Sequence, residues 1–268
     1  MRRFQSYLNA IAISLFLVMS ISCKKESQLR GSYSKITKES KAPLKALADT
    51  ALSEKVIDAL LKPIYDTMNL KPIAEINEEI TFSRSDVKRF ILNDEKFAAL
   101  VVENQYPFAG ASTGHCDLFI FQFSGNKWKI SDFMLYAGSG GMYGNSGHLN
   151  KMLNVGKSAI GFSIAGGQTH MGTLYYDDLI FFYNKKLIKA GTIMTEYSYG
   201  DLEDVKDESR FCNEIEYSFT ASDRDIYDLT LIKSNCLINA GNKVLDKITV
   251  PFDTDAQKYI IPNTFNGN

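Results

Sequence analysis

The sequence predicts an α+β protein, in which a short N-terminal helical segment precedes a mainly antiparallel β-domain arranged as a meander, a sandwich or a bent sheet. Three observations predict this class. Apolar residues recur at three- and four-residue steps over residues 42–62, which is the spacing of an amphipathic helix. After Phe97 the chain changes to aromatic and β-branched runs bounded by turn residues, which is typical of strands. Two-residue turn pairs such as Gly125-Asn126 separate several of these runs, as in β-hairpins.

The predicted elements divide the chain into a helical segment over residues 42–95 and a β-rich domain over residues 96–268. The helical segment contains a first helix over residues 42–62, ended by Pro63, and a second helix over residues 86–92. About eight strands are expected after it. Three hairpins are predicted, at residues 118–135 around Gly125-Asn126, at residues 173–197 around Asn184-Lys185, and at residues 210–234 around residues 222–225.

The third hairpin predicts a disulfide. Pairing its strands about residue 224 places Phe219 opposite Leu229, so that the apolar faces of the two strands match. The same register places Cys212 opposite Cys236 on the outer face, at a Cα separation within the disulfide range. An oxidising compartment would allow this pair to close.

The first 25 residues are typical of a secretory signal peptide. Two arginines at the start precede an apolar run over residues 8–21, and small residues follow just before Cys23. The apolar run is too short for a membrane-spanning helix, which needs about 20 apolar residues. We therefore expect the chain to be exported and this segment to be removed.

Residues 20–23, Ser-Ile-Ser-Cys, resemble the lipobox of bacterial lipoproteins, although Ser20 stands where that class most often has Leu. The resemblance covers residues 1–26. It implies that residues 1–22 are cleaved, that Cys23 carries the lipid, and that the polar residues 23–41 hold this cysteine and a flexible tether. It also implies a lipid anchor in the bacterial envelope, in the outer membrane at its periplasmic face or at the cell surface.

The composition limits the classes of partner that the protein is expected to bind. Of 268 residues, 45% are hydrophobic, which suits a globular domain with a substantial core. The 30 Lys and Arg residues nearly balance the 31 Asp and Glu residues. Without a basic field, nucleic acid is not an expected partner, so membrane attachment would come from the lipid on Cys23.

Residues 110–172 are the candidate functional region. They contain 13 of the 18 glycines and all three histidines, and residues 138–147 predict a long loop. Long loops on a β scaffold often carry binding or catalysis. The candidate binding loop consists of His115, Cys116, Gly141, Tyr143, Gly144, His148 and His170.

Several specific chemistries fit the sequence poorly. The three histidines and Cys116 offer ligands for Zn or Cu, but their spacing matches no standard metal motif, so no metal or cofactor is predicted. The segment 156–158, Gly-Lys-Ser, lacks the earlier glycine of a phosphate-binding loop. The segment 161–165 resembles a serine hydrolase elbow, but the only later histidine is His170, and no acidic residue stands between them as that motif requires.

Three functions stay open at this point. The favoured one is a non-enzymatic binding module for an envelope protein or glycan, because no catalytic motif is present. The second is an envelope hydrolase or metal-binding protein, with a site built from His115 and His148 with Asp117 or Asp132. The third is an inhibitor or immunity-type protein, which would present a protruding glycine-rich loop in place of a cleft.

Overall fold

The computed structural model describes residues 51–67, 81–106, 113–169, 172–199, 211–236 and 243–265. The predicted signal peptide, Cys23 with its tether, and the first part of the predicted first helix lie outside these residues. Within the described ranges no helix is long and apolar enough to span a bilayer. The elements in chain order are α1 Glu54–Thr67, β1 Thr81–Arg84, β2 Lys88–Leu92, β3 Glu95–Gln105, β4 His115–Ser124, β5 Lys127–Ser139, β6 His148–Asn154, β7 Ala159–Thr169, β8 Gly172–Tyr183, β9 Lys186–Tyr199, β10 Phe211–Thr220, β11 Asp228–Asn235, β12 Val244–Val250, β13 Phe252–Asp253 and β14 Lys258–Tyr259.

Helix α1 covers Glu54–Thr67, so it overlaps the last part of the predicted first helix and does not end at Pro63. The backbone N–H of Ile57 donates to the carbonyl of Ser53, and the helix continues through Pro63 to Thr67. Proline removes one helical hydrogen bond. The buried apolar series extends beyond it to Ile64, and burial of that face offsets the lost bond.

The predicted second helix over residues 86–92 is wrong, because β2 occupies residues 88–92. Phe90 and Leu92 are buried while Ile91 between them is exposed, which is the period of a strand. The turn residues Asn93 and Asp94 both have positive φ and join β2 to β3 as a hairpin. Strands therefore begin within the segment 42–95 that was predicted to be helical.

The β-rich part contains two antiparallel sheets, and its fourteen described strands exceed the eight expected. In the first sheet β1 and β2 pair with the same edge of β3, which is followed by β4 and β5. In the second sheet β6 to β12 pair in chain order as a seven-stranded meander. The short hairpin of β13 and β14 forms a separate two-stranded sheet.

Two of the predicted hairpins have the turns that their sequences require. Gly125 and Asn126 both have φ of 60°, and β4 and β5 pair on either side of them. Asn184 and Lys185 have φ of 50° and 59° between β8 and β9. Two consecutive residues with positive φ match the right-handed twist of the flanking strands.

The two sheets pack face to face through a core of phenylalanine side chains. Phe97 of the first sheet lies 5.1 Å from Phe182 of the second sheet, measured between ring centroids, and Phe90 lies 6.0 Å from Phe162. All four rings are buried, and burying each side chain stabilises the fold by about 1.5–3 kcal/mol.

The opposite face of the second sheet has its own core. Phe181 directly precedes Phe182 on β8, so its side chain points to this other face. Its ring packs on Phe252 and Tyr259 of the β13–β14 hairpin. Phe265, in a short 3-10 helix after that hairpin, is also fully buried in this cluster. Strand β8 is therefore covered on both faces at Phe181 and Phe182.

The predicted cysteine pairing is present. Phe219 pairs with Leu229 in β10 and β11, as the register predicted. Cys212 and Cys236 form a disulfide, with their Cα atoms 5.1 Å apart. The outer-face position is wrong for Cys212, however, since its side chain is buried.

Candidate functional site

The second sheet curves strongly enough to form a concave face. Lys151 on β6 places its Nζ 4.3 Å from the centroid of the Tyr217 ring on β10. Those strands are four positions apart, and a flat sheet would separate them by roughly 19 Å. Register shifts at residues 149–151 and 175–176 add twist at the places where the curvature is needed.

The concave face, together with the loop after β5 and the end of β3, encloses an open cleft of about 840 Å³. Its volume is in the range of ligand-binding pockets. Polar groups dominate its walls. Its polar lining residues include Glu103, His148, Asn150, Lys151, Tyr175, Asp177, Glu196, Glu214, Glu216 and Tyr217.

The glycine-rich loop over residues 140–147 forms one wall of this cleft. Backbone hydrogen bonds hold it in place: the N–H of Tyr106 donates to the Gly144 carbonyl, and the N–H of Gly114 donates to the Asn145 carbonyl. A Cβ atom on Gly141 would overlap the carbonyl oxygen of Gly167 on β7. The loop therefore packs back onto the sheets, and glycine at 141 allows that close approach.

A buried carboxyl group lies at the base of the cleft. The Tyr217 hydroxyl donates to Asp177 Oδ2 at 2.6 Å, and the Asn150 side-chain amide donates to the same oxygen at 3.3 Å. Asp177 is only 3% exposed. Burial raises the pKa of Tyr217, as does its hydrogen bond to Asp177, whereas the Ser163 side chain acts in the opposite direction. Tyr217 is therefore a hydrogen-bond donor across the ordinary pH range.

Ser163 lies on the cleft face of β7, next to this base. It pairs with Lys151 across the sheet, so their side chains share a face. Its Oγ is fully buried and makes no hydrogen bond of standard geometry, but it lies close enough to the Tyr217 hydroxyl to lower the pKa of that tyrosine.

The cleft is rich in negative charge. Five carboxyl groups line it, and Lys151 is the one Lys or Arg among its described lining residues. Glu196 on β9 and Glu214 on β10 are direct cross-strand partners, and no ion pair to either is present in the described part of the chain. Like charges placed directly opposite each other destabilise a sheet. This arrangement is therefore a candidate for function.

Exposed aromatic rings flank the carboxyl groups. Tyr175 pairs with Glu196 across β8 and β9 and is 43% exposed. Tyr175 also lines a smaller adjoining pocket of about 240 Å³, together with Tyr143, which is 40% exposed. The two pockets share Tyr175, so they adjoin at this ring.

The structure separates the residues of the candidate binding loop. Gly141 and His148 line the cleft, and Tyr143 lines the adjoining pocket. Gly144 has φ of 77° in the loop turn. His170 lies outside the described residues.

His115 and Cys116 lie on β4 and do not line the cleft. His115 is buried, with Tyr106 Oη 2.9 Å from its Nδ1, Asp117 Oδ1 3.4 Å from its Nε2, and the Tyr136 ring stacked on it at 3.9 Å. The Cys116 thiol donates to the Ser146 carbonyl, and burial raises its pKa, with smaller contributions from nearby carboxylates.

These contacts do not assemble the hydrolase or metal site considered from the sequence. Asp132 accepts a hydrogen bond from the backbone N–H of Leu187, which ties β5 to β9. His148 lines the cleft, whereas His115 does not. Among the described residues, no group of three or more His, Cys, Asp or Glu side chains could hold a metal ion.

The charged residues of the cleft were not predicted from the sequence. Asp177 and Asp178 interrupt the apolar stretch of β8, and that interruption is the signal that could have marked them. Asp178 is explained by its ion pair with Lys189 at 2.7 Å on the other face of the strand. Asp177 has hydrogen bonds to neutral donors and no ion pair in the described structure.

Comparison of the chain with known protein families, with curated proteins and with solved structures gives no match.

Proposed function

We propose that this protein is a non-enzymatic binding module of the bacterial envelope and that its cleft binds a glycan. The observation that supports this most is the open polar groove with the exposed rings of Tyr175 and Tyr143 beside it. Sugar rings present C–H faces that stack on aromatic rings and hydroxyl groups that bond to polar side chains. A groove with both features along its length suits an oligosaccharide better than a compact apolar ligand.

The packing of the glycine-rich loop supports a binding cleft over an inhibitor-type surface. An inhibitor would be expected to present this loop outward. Instead, its backbone accepts hydrogen bonds from Tyr106 and Gly114, which flank β3 and β4, and Gly141 lies against Gly167. The loop therefore contributes a wall to the groove.

Attachment to the membrane through a lipid on Cys23 is part of the proposal. Its support is the lipobox-like sequence of residues 20–23, and the polar residues after it would serve as a tether. A binding module on such a tether could capture glycans near the membrane surface.

Glycan binding is tested with the full-length protein purified in detergent and applied to an array of defined oligosaccharides, followed by calorimetric titration of the tightest-binding one. Tyr175→Ala should raise its Kd by roughly 5–10-fold, as expected for losing one aromatic stacking contact. Phe82→Ala is the matched control, because Phe82 is an exposed aromatic residue on β1 that does not line the groove. Absence of binding to every oligosaccharide, or equal Kd values for wild type and Tyr175→Ala, would refute the proposal.

The anchor is tested separately in a bacterial host by metabolic labelling with a palmitate analogue. We expect label on the wild-type protein and none on Cys23→Ala. Cys116→Ala is the control that also removes one cysteine, and it should keep the label. An unlabelled wild-type protein would show that the lipobox resemblance is misleading.

A further inference from the structure

Asp177 is a buried carboxyl group whose hydrogen bonding the protein leaves incomplete. It lines the cleft although only 3% of it is exposed. Its Oδ2 accepts hydrogen bonds from the Tyr217 hydroxyl at 2.6 Å and from the Asn150 amide at 3.3 Å. Its Oδ1 has one hydrogen-bond contact among the described residues, with the same Asn150 amide at 3.5 Å. An ionised carboxylate has about four acceptor sites, so Asp177 retains capacity for further donors.

The next residue on the strand, Asp178, shows what a carboxyl group satisfied within the protein looks like. It is also buried, and its Oδ1 accepts a hydrogen bond from the Thr192 hydroxyl and forms an ion pair with Lys189 at 2.7 Å. Asp177 has no ion pair in the described part of the chain. Burying a carboxylate without a counter-charge is costly, and such groups are concentrated at functional sites.

A recess with a floor of small residues lies beside Asp177 on the same face of the sheet. Ala165 and Gly167 on β7 are the cross-strand partners of Asp177 and Tyr175 on β8, and His148 on β6 pairs with Ala165 from the other side. Side chains of direct cross-strand partners project from the same face. All five residues line the cleft. We call the space over Ala165 and Gly167 the small-residue recess.

The dimensions of the small-residue recess suit one sugar ring. His148 and Asp177 are two strand spacings apart, roughly 9.5 Å between their backbones. Tyr175 and Asp177 are two residues apart on one strand, about 6.7 Å. Ala165 carries a single methyl group and Gly167 has no side chain, so β7 adds little bulk between these groups. The recess therefore combines an aromatic face, a carboxyl acceptor and open space.

We infer that the small-residue recess is the subsite that determines specificity, and that Asp177 there accepts hydrogen bonds from hydroxyl groups of a neutral sugar. Tyr217 and Asn150 hold the carboxyl group in place through Oδ2. Its Oδ1 accepts from the edge of a sugar ring that stacks on Tyr175. This inference rests on the proposed glycan-binding function.

The charges around Asp177 favour a neutral ligand. Lys151 Nζ lies 4.3 Å from the centroid of the Tyr217 ring, so a positive charge is already present beside the hydroxyl that bonds to Asp177. A sugar carboxylate in the recess would be repelled by Asp177, and the repulsion is strong where water is largely excluded. The cleft should therefore bind neutral glycans and reject those built from uronic acids.

The experiment titrates the full-length protein at neutral pH with three matched pairs of 1,4-linked hexasaccharides: glucose with glucuronate, mannose with mannuronate, and galactose with galacturonate. The members of each pair differ only in a hydroxymethyl group or a carboxylate on each ring. At least one neutral hexamer should bind, and its uronate partner should bind at least about tenfold more weakly. If none of the six binds, the variants below are titrated with the tightest-binding neutral glycan of the array.

Asp177→Asn tests the acceptor with little change of size. It should raise the Kd of the tightest-binding neutral hexamer by about tenfold or more, because a hydrogen bond to a charged group is lost. Asp255→Asn is the matched control, since Asp255 is an exposed carboxylate in the β13–β14 turn and does not line the cleft. It should leave that Kd unchanged.

Ala165→Leu tests the recess without removing any hydrogen-bonding group. The larger side chain should fill the space between His148 and Asp177 and weaken binding by at least about tenfold. Ala256→Leu, at an exposed alanine in the β13–β14 turn, should have no effect. Urea unfolding establishes that each variant is folded under the titration conditions. If Asp177→Asn does not fold, Ala165→Leu and the hexamer pairs decide the outcome.

The outcomes separate this inference from the glycan proposal. Uronate hexamers that bind as tightly as their neutral partners, or binding that Asp177→Asn and Ala165→Leu leave intact, would overturn the inference and leave the glycan proposal standing. If the array identifies acidic glycans as the only ligands, the inference is again wrong. If no oligosaccharide binds at all, both proposals fail.

Discussion

The disulfide between Cys212 and Cys236 allows a quantitative prediction about stability. The two cysteines are 24 residues apart, so the bond closes a loop of that size in the unfolded chain. In the chain-entropy model, closing such a loop lowers the entropy of the unfolded chain by about 12 cal/mol/K. At 25 °C this corresponds to about 3.4 kcal/mol of added stability. For a domain of this size, the midpoint of thermal unfolding should rise by roughly 2–4 °C per kcal/mol.

The assay is urea unfolding of the exported, oxidised protein with and without a reductant. Reduction should lower the free energy of unfolding by about 3 kcal/mol without any change of side chain. The Cys212→Ala/Cys236→Ala variant should be destabilised by at least as much, because Cys212 is buried, and it should not respond to the reductant. That insensitivity is the control for effects of the reductant on other sites.

Two results would contradict this reasoning. A change of less than about 1 kcal/mol on reduction would mean that the unfolded chain already restricts this loop. Reaction of both Cys212 and Cys236 with a thiol reagent in the unreduced, denatured protein would mean that the bond does not form.

Three further predictions follow from buried and facing groups. Tyr217→Phe should lower the free energy of unfolding by about 1–3 kcal/mol, because Asp177 loses its shortest hydrogen bond. Tyr183→Phe removes an exposed hydrogen bond and should lower the free energy of unfolding by less in the same urea titration. Burial raises the pKa of the Cys116 thiol above its ordinary value of 9.0, so the unfolded chain releases a proton above that pH that the folded protein keeps. The free energy of unfolding should therefore fall by up to about 1.4 kcal/mol per pH unit above pH 9. Urea unfolding of the variant that lacks the disulfide measures this slope, and adding Cys116→Ala should remove the part that comes from the thiol. Glu196 and Glu214 face each other across β9 and β10, so the Glu196→Gln/Glu214→Gln variant should be more stable than wild type by about 0.2–1 kcal/mol. A loss of stability in thermal unfolding would contradict this prediction.

The local sequence was sufficient to predict the structure where a short turn determines how two strands pair. Gly125-Asn126 and Asn184-Lys185 adopt positive φ at little cost, so each pair determines a tight hairpin and, with it, the register of long strands. The match of Phe219 with Leu229 followed from alternation in the same way, and the pairing of Cys212 with Cys236 followed from that register. These features depend on residues close together in the chain.

Local sequence was insufficient for the segment around Phe90. Val87 and Ile91 are spaced as on a helix, but Phe90 and Leu92 are the residues that become buried. Phe90 packs on Phe97 at 5.5 Å after the Asn93-Asp94 turn, and that contact favours the strand. A short apolar segment suits either structure, and the tertiary contacts decide between them.

The sequence by itself determined the β-rich class, the hairpin turns, the cysteine pairing and the glycine-rich region that forms one wall of the cleft. Only the tertiary structure placed the charged residues of the cleft. Tyr217 bonds to Asp177 across 40 residues of chain, and Asn150 reaches the same carboxyl group across 27. Alternation says which face of a strand a side chain occupies, but the curvature of a seven-stranded sheet decides which distant strands face each other. That curvature is the sum of twist and register shifts over all the strands, and no local stretch of the sequence encodes it.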